Sequence, residues 1–162
     1  MLKSLNARLD RVLGVSMKVE IKRVDSSLPL PVYETQGSVG FDIVCREDTT
    51  IEPKSISRVP GNAIVKVPEG YALVVALRSS TPGKKQLSCP HGIGIVDNDY
   101  CGPDDELMVQ VYNFSEAPVK VERGEKIAQG VFVKVERAEW DEAERVESRS
   151  RGGFGSTDKI SK

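Results

Sequence analysis

The chain has 162 residues, of which 39% are hydrophobic, and its formal net charge is −1. This length suits one domain that buries a sizeable core. Interspersed charges exclude the basic stripe typical of nucleic-acid binding, and no apolar run is long enough to predict a membrane span. The three cysteines form neither a CxxC pair nor an even set, and no signal peptide is visible. We therefore expect a cytoplasmic protein without a disulfide framework.

The spacing of the apolar side chains divides the chain into three parts. Helical spacing in residues 1–16 predicts a short amphipathic extension. Alternating spacing in residues 17–136, with frequent turn residues, is typical of an all-β sandwich or barrel. Residues 137–162 are rich in charge and then in glycine, which predicts a flexible C-terminal arm. The clearest strand candidates are MKVEIKRV, FDIVC, SISRV, NAIVKV, YALVVAL and IAQGVFVKV.

The stretch 91–113, HGIGIVDNDYCGPDDELMVQVYN, is the strongest candidate for a site. Asp97 and Tyr100 follow a glycine-punctuated apolar run, and an alternating strand leaves with one face formed by Leu107, Val109 and Val111. We expect a rigid strand pair that holds a carboxylate and an aromatic ring at its turn, as a small-molecule site requires. The alternative is a polar hairpin on a β-sandwich.

A second candidate is the segment ALRSSTPGKK, residues 76–85. An apolar strand ends there in a guanidinium and two hydroxyls, from Arg78, Ser79 and Ser80. These groups, with free backbone N–H groups, could cradle a phosphate, although a plain loop is an equally good interpretation.

Five segments in chain order resemble the motifs of one family. They are SVGFDI (38–43), RSS (78–80), GIGIVDNDYCG (92–102), RGEKIAQ (123–129) and RGGFGST (151–157). Together they resemble the motifs of the trimeric dUTP pyrophosphatases, the dUTPases. The resemblance implies a jelly-roll-like β-barrel of the β-clip type that assembles as a homotrimer with shared active sites. It also implies hydrolysis of dUTP to dUMP and pyrophosphate with Mg²⁺.

The resemblance assigns the third motif to catalysis and to base and sugar recognition. Asp97 would orient and deprotonate the water that attacks the α-phosphorus. Tyr100 would lie against the deoxyribose and leave no room for a 2′-hydroxyl. Backbone groups of residues 91–96, Gly94 among them, would read uracil, with His91 standing where the family usually carries Asn.

The remaining motifs would bind the triphosphate and its metal. Arg78, Ser79, Ser80 and Gln129 match the family's phosphate contacts, and Asp42 would act through water on the Mg²⁺ shell. In the arm, Phe154 would stack on uracil while Gly155 and Ser156 close over the phosphates. Arg149 and Arg151 both remain candidates for the γ-phosphate contact.

Two rival functions stay open. A dCTP deaminase shares the fold and an RSS-type second motif, but Tyr100 and the complete fifth motif favour the hydrolase. A catalytically idle nucleotide-sensing module is the other rival, and the intact Asp97 argues against it.

Overall fold

The computed structural model describes residues 17–147 and 150. Within this part of the chain the regular structure consists of strands and one helix of a single turn. The strands are β1 (Glu20–Arg23), β2 (Phe41–Val44), β3 (Thr49–Ile51), β4 (Ile56–Pro60), β5 (Ala63–Lys66), β6 (Tyr71–Leu77), β7 (Leu87–Ser88), β8 (Gly94–Val96), β9 (Met108–Asn113), β10 (Val119–Val121) and β11 (Lys126–Lys134). The helix, α1, spans Thr81–Lys85. The all-β prediction is confirmed.

All strand pairs are antiparallel and form several small sheets around one apolar core. The largest sheet has four strands in the order β2-β11-β6-β8, and a second has three in the order β4-β9-β7. The pairs β1-β5 and β10-β3 complete the arrangement. Both larger sheets contribute to the core, whose fully buried side chains include Ile43, Ile51, Val59, Leu73, Val111 and Ile127.

The apolar residues that alternate along β9 are the ones that the fold buries. Val109 and Val111 are buried, as is Leu107 just before the strand, whereas Met108 between them is exposed. Because successive side chains of a strand point to opposite faces, these three apolar residues share the core face. The prediction that they lie on one face is confirmed.

The expected strand pair within residues 91–113 is wrong. β8 pairs with β6, whereas β9 pairs with β4 and β7 in another sheet. The connection between β8 and β9 is too long for a tight hairpin, and Leu107 bonds to Gly61 and Ala63 at its end. These backbone bonds of 2.8 Å direct the chain onto the second sheet.

The chain directly after Ser80 forms the helix α1 rather than a plain loop. Pro82 lies in its first turn, where the missing N–H of proline costs no intrahelical bond. Gln86 ends the helix in the left-handed conformation, with φ of 53°.

Two observations concern the chain beyond the core. No regular structure follows β11 among the residues described there, and Trp140 in this segment is 93% exposed. Among residues 17–147 and 150, no helix has the length and apolar character that crossing a bilayer demands.

Candidate active site

Asp97 lies directly after β8 and lines a cavity of about 490 Å³. Gly94–Val96 pair with Leu73–Val75 of β6, which fixes the strand that carries Asp97. The carboxylate is exposed, and the turn behind it is closed by a bond from Tyr100 N to Asp97 O of 3.4 Å. An accessible carboxylate at the rigid end of a strand can orient and deprotonate a water molecule.

Tyr100 forms another part of the cavity wall, and its position does not depend on Asp97 alone. Its hydroxyl donates to the backbone carbonyl of Glu106 at 3.2 Å, and the residue is 40% exposed. The ring is therefore held at one end and open to a ligand on its face. Such a volume, with apolar walls from both large sheets and a few polar groups, suits a small molecule.

His91 and Gly94 also line this cavity. The Sγ atom of Cys89 lies 3.7 Å from Nδ1 of His91 and 3.9 Å from Nε2. Cys89 is a residue of the cavity wall that the sequence does not indicate. No local pattern marks it, and only the fold shows that it lines the cavity.

Asp42 is the centre of a second polar cluster, on the neighbouring strands. This buried carboxylate on β2 lies 3.2 Å from Nε of Arg78 and 3.1 Å from Nζ of Lys126. Lys126 also pairs with Glu34, and the carboxylates of Glu34 and then Asp42 raise the pKa of Lys126. The sequence did not single out Lys126, although it lies within the fourth motif.

A bulge in β11 joins the second and fourth motifs. The register between β11 and β2 shifts at Ile127. The carbonyl of Ile127 accepts the backbone N–H of Arg78 at 3.0 Å and the hydroxyl of Thr81 at 3.0 Å. Ser79 and Ser80 lie exposed between these two anchors, so both hydroxyls are available to a ligand.

Gln129 completes the second cluster. On β11 it pairs in register with Asp42 on one side and with Ala76 on the other. The fold thus brings together the predicted phosphate contacts and the predicted metal residue. These are Asp42, Arg78, Ser79, Ser80 and Gln129.

Within one chain, Asp97 and Arg78 lie beside opposite ends of β6, and the cavity wall extends along this strand from Val75 to Leu77. The register places Val96 beside Leu73, so Asp97 comes next to Ala72, whereas Arg78 follows the other end of the strand. Arg78 lies six positions beyond Ala72, a span of about 20 Å in extended chain. The residues around the cavity include none of the second cluster. The remaining candidates, Arg149, Arg151, Phe154, Gly155 and Ser156, lie outside the described residues.

Comparison with known proteins identifies related chains. The family model described as dUTPase matches residues 26–158. A deoxyuridine 5′-triphosphate nucleotidohydrolase of Helicobacter pylori (strain P12) is 39% identical over 143 residues, covering 87% of this chain and 97% of the relative.

Solved structures share the fold. The Staphylococcus bacteriophage 80alpha dUTPase with dUPNHPP superposes with a TM-score of 0.77 at 24% identity, covering 87% of this chain and 98% of that one. A dUTPase variant from phage phi11 of S. aureus, solved to describe a structural Mg(II) ion, has a TM-score of 0.71 at 21% identity, covering 80% and 98%.

Proposed function

This chain belongs to the dUTPase family and hydrolyses dUTP, and we propose that Asp97 orients and deprotonates the attacking water. One observation carries the proposal: the exposed Asp97 directly follows β8 and lines the same cavity as Tyr100. Water is a poor nucleophile, and a fixed carboxylate within hydrogen-bond reach both aims it and accepts its proton.

The bond changes in this step balance as follows. The water oxygen forms a bond to the α-phosphorus, and the bond from that phosphorus to the oxygen bridging to the β-phosphate breaks. The pyrophosphate leaves with the bonding electron pair, and the water proton passes to Asp97. The products are dUMP and pyrophosphate.

The cavity walls would select the nucleotide. Backbone groups of residues 91–96 have a fixed donor and acceptor order, so a base with the opposite order would leave them unpaired. The imidazole of His91 adds a group that can donate or accept. Tyr100, held through its hydroxyl, would fill the space that a ribose 2′-hydroxyl needs.

The second cluster would bind the triphosphate. Arg78 supplies a charged donor, Ser79 and Ser80 supply exposed hydroxyls, and Gln129 supplies an amide. Donors fixed where charge develops on the leaving pyrophosphate lower the barrier. In the arm, Phe154, Gly155 and Ser156 would close over the bound nucleotide, with Arg149 or Arg151 at the γ-phosphate.

The residues around Asp42 fit a Mg²⁺ ion that is bound mainly by the substrate. Oδ2 of Asp42 is buried and ion-paired with the Lys126 ammonium at 3.1 Å, and its remaining lone pair can accept a bond from a water of the metal shell. No group of three or more His, Cys, Asp or Glu among the described residues could cage a metal, which suits an ion held by phosphates. When bound, Mg²⁺ would neutralise charge on the phosphate oxygens.

The two ends of β6 support a shared site in a homotrimer. The strand span of about 20 Å between the neighbours of Asp97 and Arg78 makes it unfavourable for both side chains of one chain to act on one phosphorus. A neighbouring copy can bring its second cluster to this chain's Asp97. We therefore propose that each active site combines residues from different chains.

The variant Asp97→Asn tests the catalytic proposal. It keeps the shape of the side chain and removes the base, so pyrophosphate release from dUTP should fall by about 10²–10⁴-fold. Binding of a non-hydrolysable dUTP analogue should persist. The matched control is Asp99→Asn, because Asp99 is two positions away and does not line the cavity.

The two results that would overturn the proposal are distinct. Unchanged turnover in Asp97→Asn would remove Asp97 from the chemistry. Ammonia release from dCTP by the unmodified protein would instead favour the deaminase.

Removal of Mg²⁺ by a chelator should cause a large loss of dUTP turnover, measured by pyrophosphate release.

A further inference from the structure

The side chain of Asn98 fastens the residue after Asp97 to the turn between β5 and β6. The two N–H donors of its Nδ2 group are shared among the backbone carbonyls of Val67 at 3.1 Å, Pro68 at 2.7 Å and Tyr71 at 3.1 Å. Asn98 is not among the residues around the cavity, so this amide faces away from the ligand. None of the motif assignments gives Asn98 a role.

The position of Asn98 in the register explains why these bonds matter. Backbone pairing between β8 and β6 ends at Val96 and Leu73. Continuing this register puts Asn98 beside Tyr71, whose carbonyl the Asn98 amide bonds. The Asn98 side chain therefore continues the attachment to β6 beyond the last backbone pair. Asp97 lies between the last backbone pair and this side-chain anchor.

The turn that accepts these bonds is itself well fixed. Tyr71 N donates to Pro68 O at 3.1 Å and closes it, and Gly70 adopts the positive φ of 78° that the turn needs. Val135 N donates to Gly70 O at 3.0 Å and ties the turn to the end of β11. Other bonds thus hold the turn that carries the three acceptor carbonyls. Because the Asn98 amide bonds to this fixed turn, it holds the chain next to Asp97 in place.

We propose that Asn98 is a positioning residue for hydrolysis, which holds the Asp97 carboxylate at the angle that the attacking water requires. The inference rests on the proposed role of Asp97 as the base. Tyr100 has a separate anchor in the carbonyl of Glu106, so contact with the sugar does not depend on the Asn98 amide. Loss of Asn98 should therefore impair the chemical step more than substrate binding.

The variants Asn98→Ala and Asn98→Asp test this role. Because small misplacements of a catalytic group are costly, kcat should fall by about 10–100-fold, while KM stays within about three-fold. Asn98→Asp should lose more than Asn98→Ala, since it directs carboxylate oxygens at three carbonyl oxygens. Steady-state pyrophosphate release gives kcat and KM, and kcat is calculated from the concentration of folded protein.

Asn113→Ala is the matched control. The Asn113 amide also donates to backbone carbonyls, those of Ile51 at 2.9 Å and Ala117 at 2.8 Å, but it lies outside the cavity wall. Its loss should lower Tm and leave kcat of the folded protein unchanged. A merely structural role for Asn98 would give the same pattern.

The inference fails if folded Asn98→Ala and Asn98→Asp both keep kcat within about two-fold of the unmodified protein. It also fails if Asn113→Ala loses kcat to the same extent. Asp97→Asn separates this failure from a failure of the proposed function. If Asp97→Asn is inactive while the Asn98 variants are fully active, only the positioning role is wrong.

Discussion

At the residue scale, the buried carboxylate of Asp42 organises the proposed phosphate site. A buried charge is costly unless opposite charges lie close to it, and Arg78 and Lys126 provide them. The same contacts keep the two cations at the end of the sheet, where they can face a triphosphate. Lys126 thus belongs to the cluster around Asp42, although the motifs do not mark it as a contact of the substrate.

A surface cluster around Asp25 predicts a pH-dependent stability. Hydrogen bonds from Ser27 and then Arg123 hold the pKa of Asp25 well below its ordinary value. A folded pKa below the unfolded one means that the carboxylate stabilises the fold at neutral pH. This contribution fades as the pH falls below about 4, where the unfolded chain takes up the proton.

Asp25→Asn should therefore be less stable than the unmodified protein at pH 7, and the difference should shrink at pH 3. Denaturant unfolding at both pH values, at one protein concentration, measures it. Glu52→Gln serves as a control for the loss of an exposed carboxylate. A stability difference that is equal at both pH values would contradict the assignment.

At the element scale, β11 holds the largest sheet together, since it pairs with both β2 and β6. It carries the bulge that positions Arg78 and also Gln129 of the second cluster. Gly130 follows Gln129 and lies beneath the ring of Phe41. A Cβ at this position would come within 2.5 Å of Cζ of Phe41 and 3.0 Å of Cδ1 of Leu73.

Gly130→Ala should therefore destabilise the fold by about 1–3 kcal/mol, because the core around Phe41 has no space for a methyl group. Denaturant unfolding at a fixed protein concentration measures the change. Gly37→Ala is the matched control, since a Cβ there would have no neighbour within 4 Å. Equal stability of the two variants would contradict this prediction, because it would mean that the core around β11 can accommodate the added methyl group.

At the scale of the whole molecule, the separation of Asp97 from Arg78 along β6 supports the proposal that a second chain contributes to each site. Asp97→Asn and Arg78→Ala should each abolish most activity in a homotrimer. In mixed trimers, some sites receive an intact Asp97 from one chain and an intact Arg78 from another. Co-refolding equal amounts should restore about a quarter of the activity, the product of two even chances.

Activity measured before and after co-refolding checks this complementation, with each variant refolded alone as the control. If both residues came from the same chain, no mixture would regain activity. The size of the assembly, measured by light scattering, tests the trimer separately.

Much of the fold was predictable from local pattern. Alternating apolar residues predicted β9 and β11, because successive residues of a half-buried strand face the core and the solvent in turn. Strands of three residues, such as Thr49–Ile51 and Val119–Val121, escaped detection since so short a segment carries little periodicity. The helix α1 was also missed, because five residues containing a proline and a glycine resemble a turn.

For the site, the sequence by itself determined the family and the chemical groups, since Asp97, Tyr100 and Arg78 stand in recognisable motifs. Only the tertiary structure decided that β8 joins β6 rather than β9, and that Asn98 anchors the turn beside it. The physical reason is that strand partners and side-chain anchors are long-range contacts. Local periodicity reports which face of a strand is buried, but not which strand or turn lies against it.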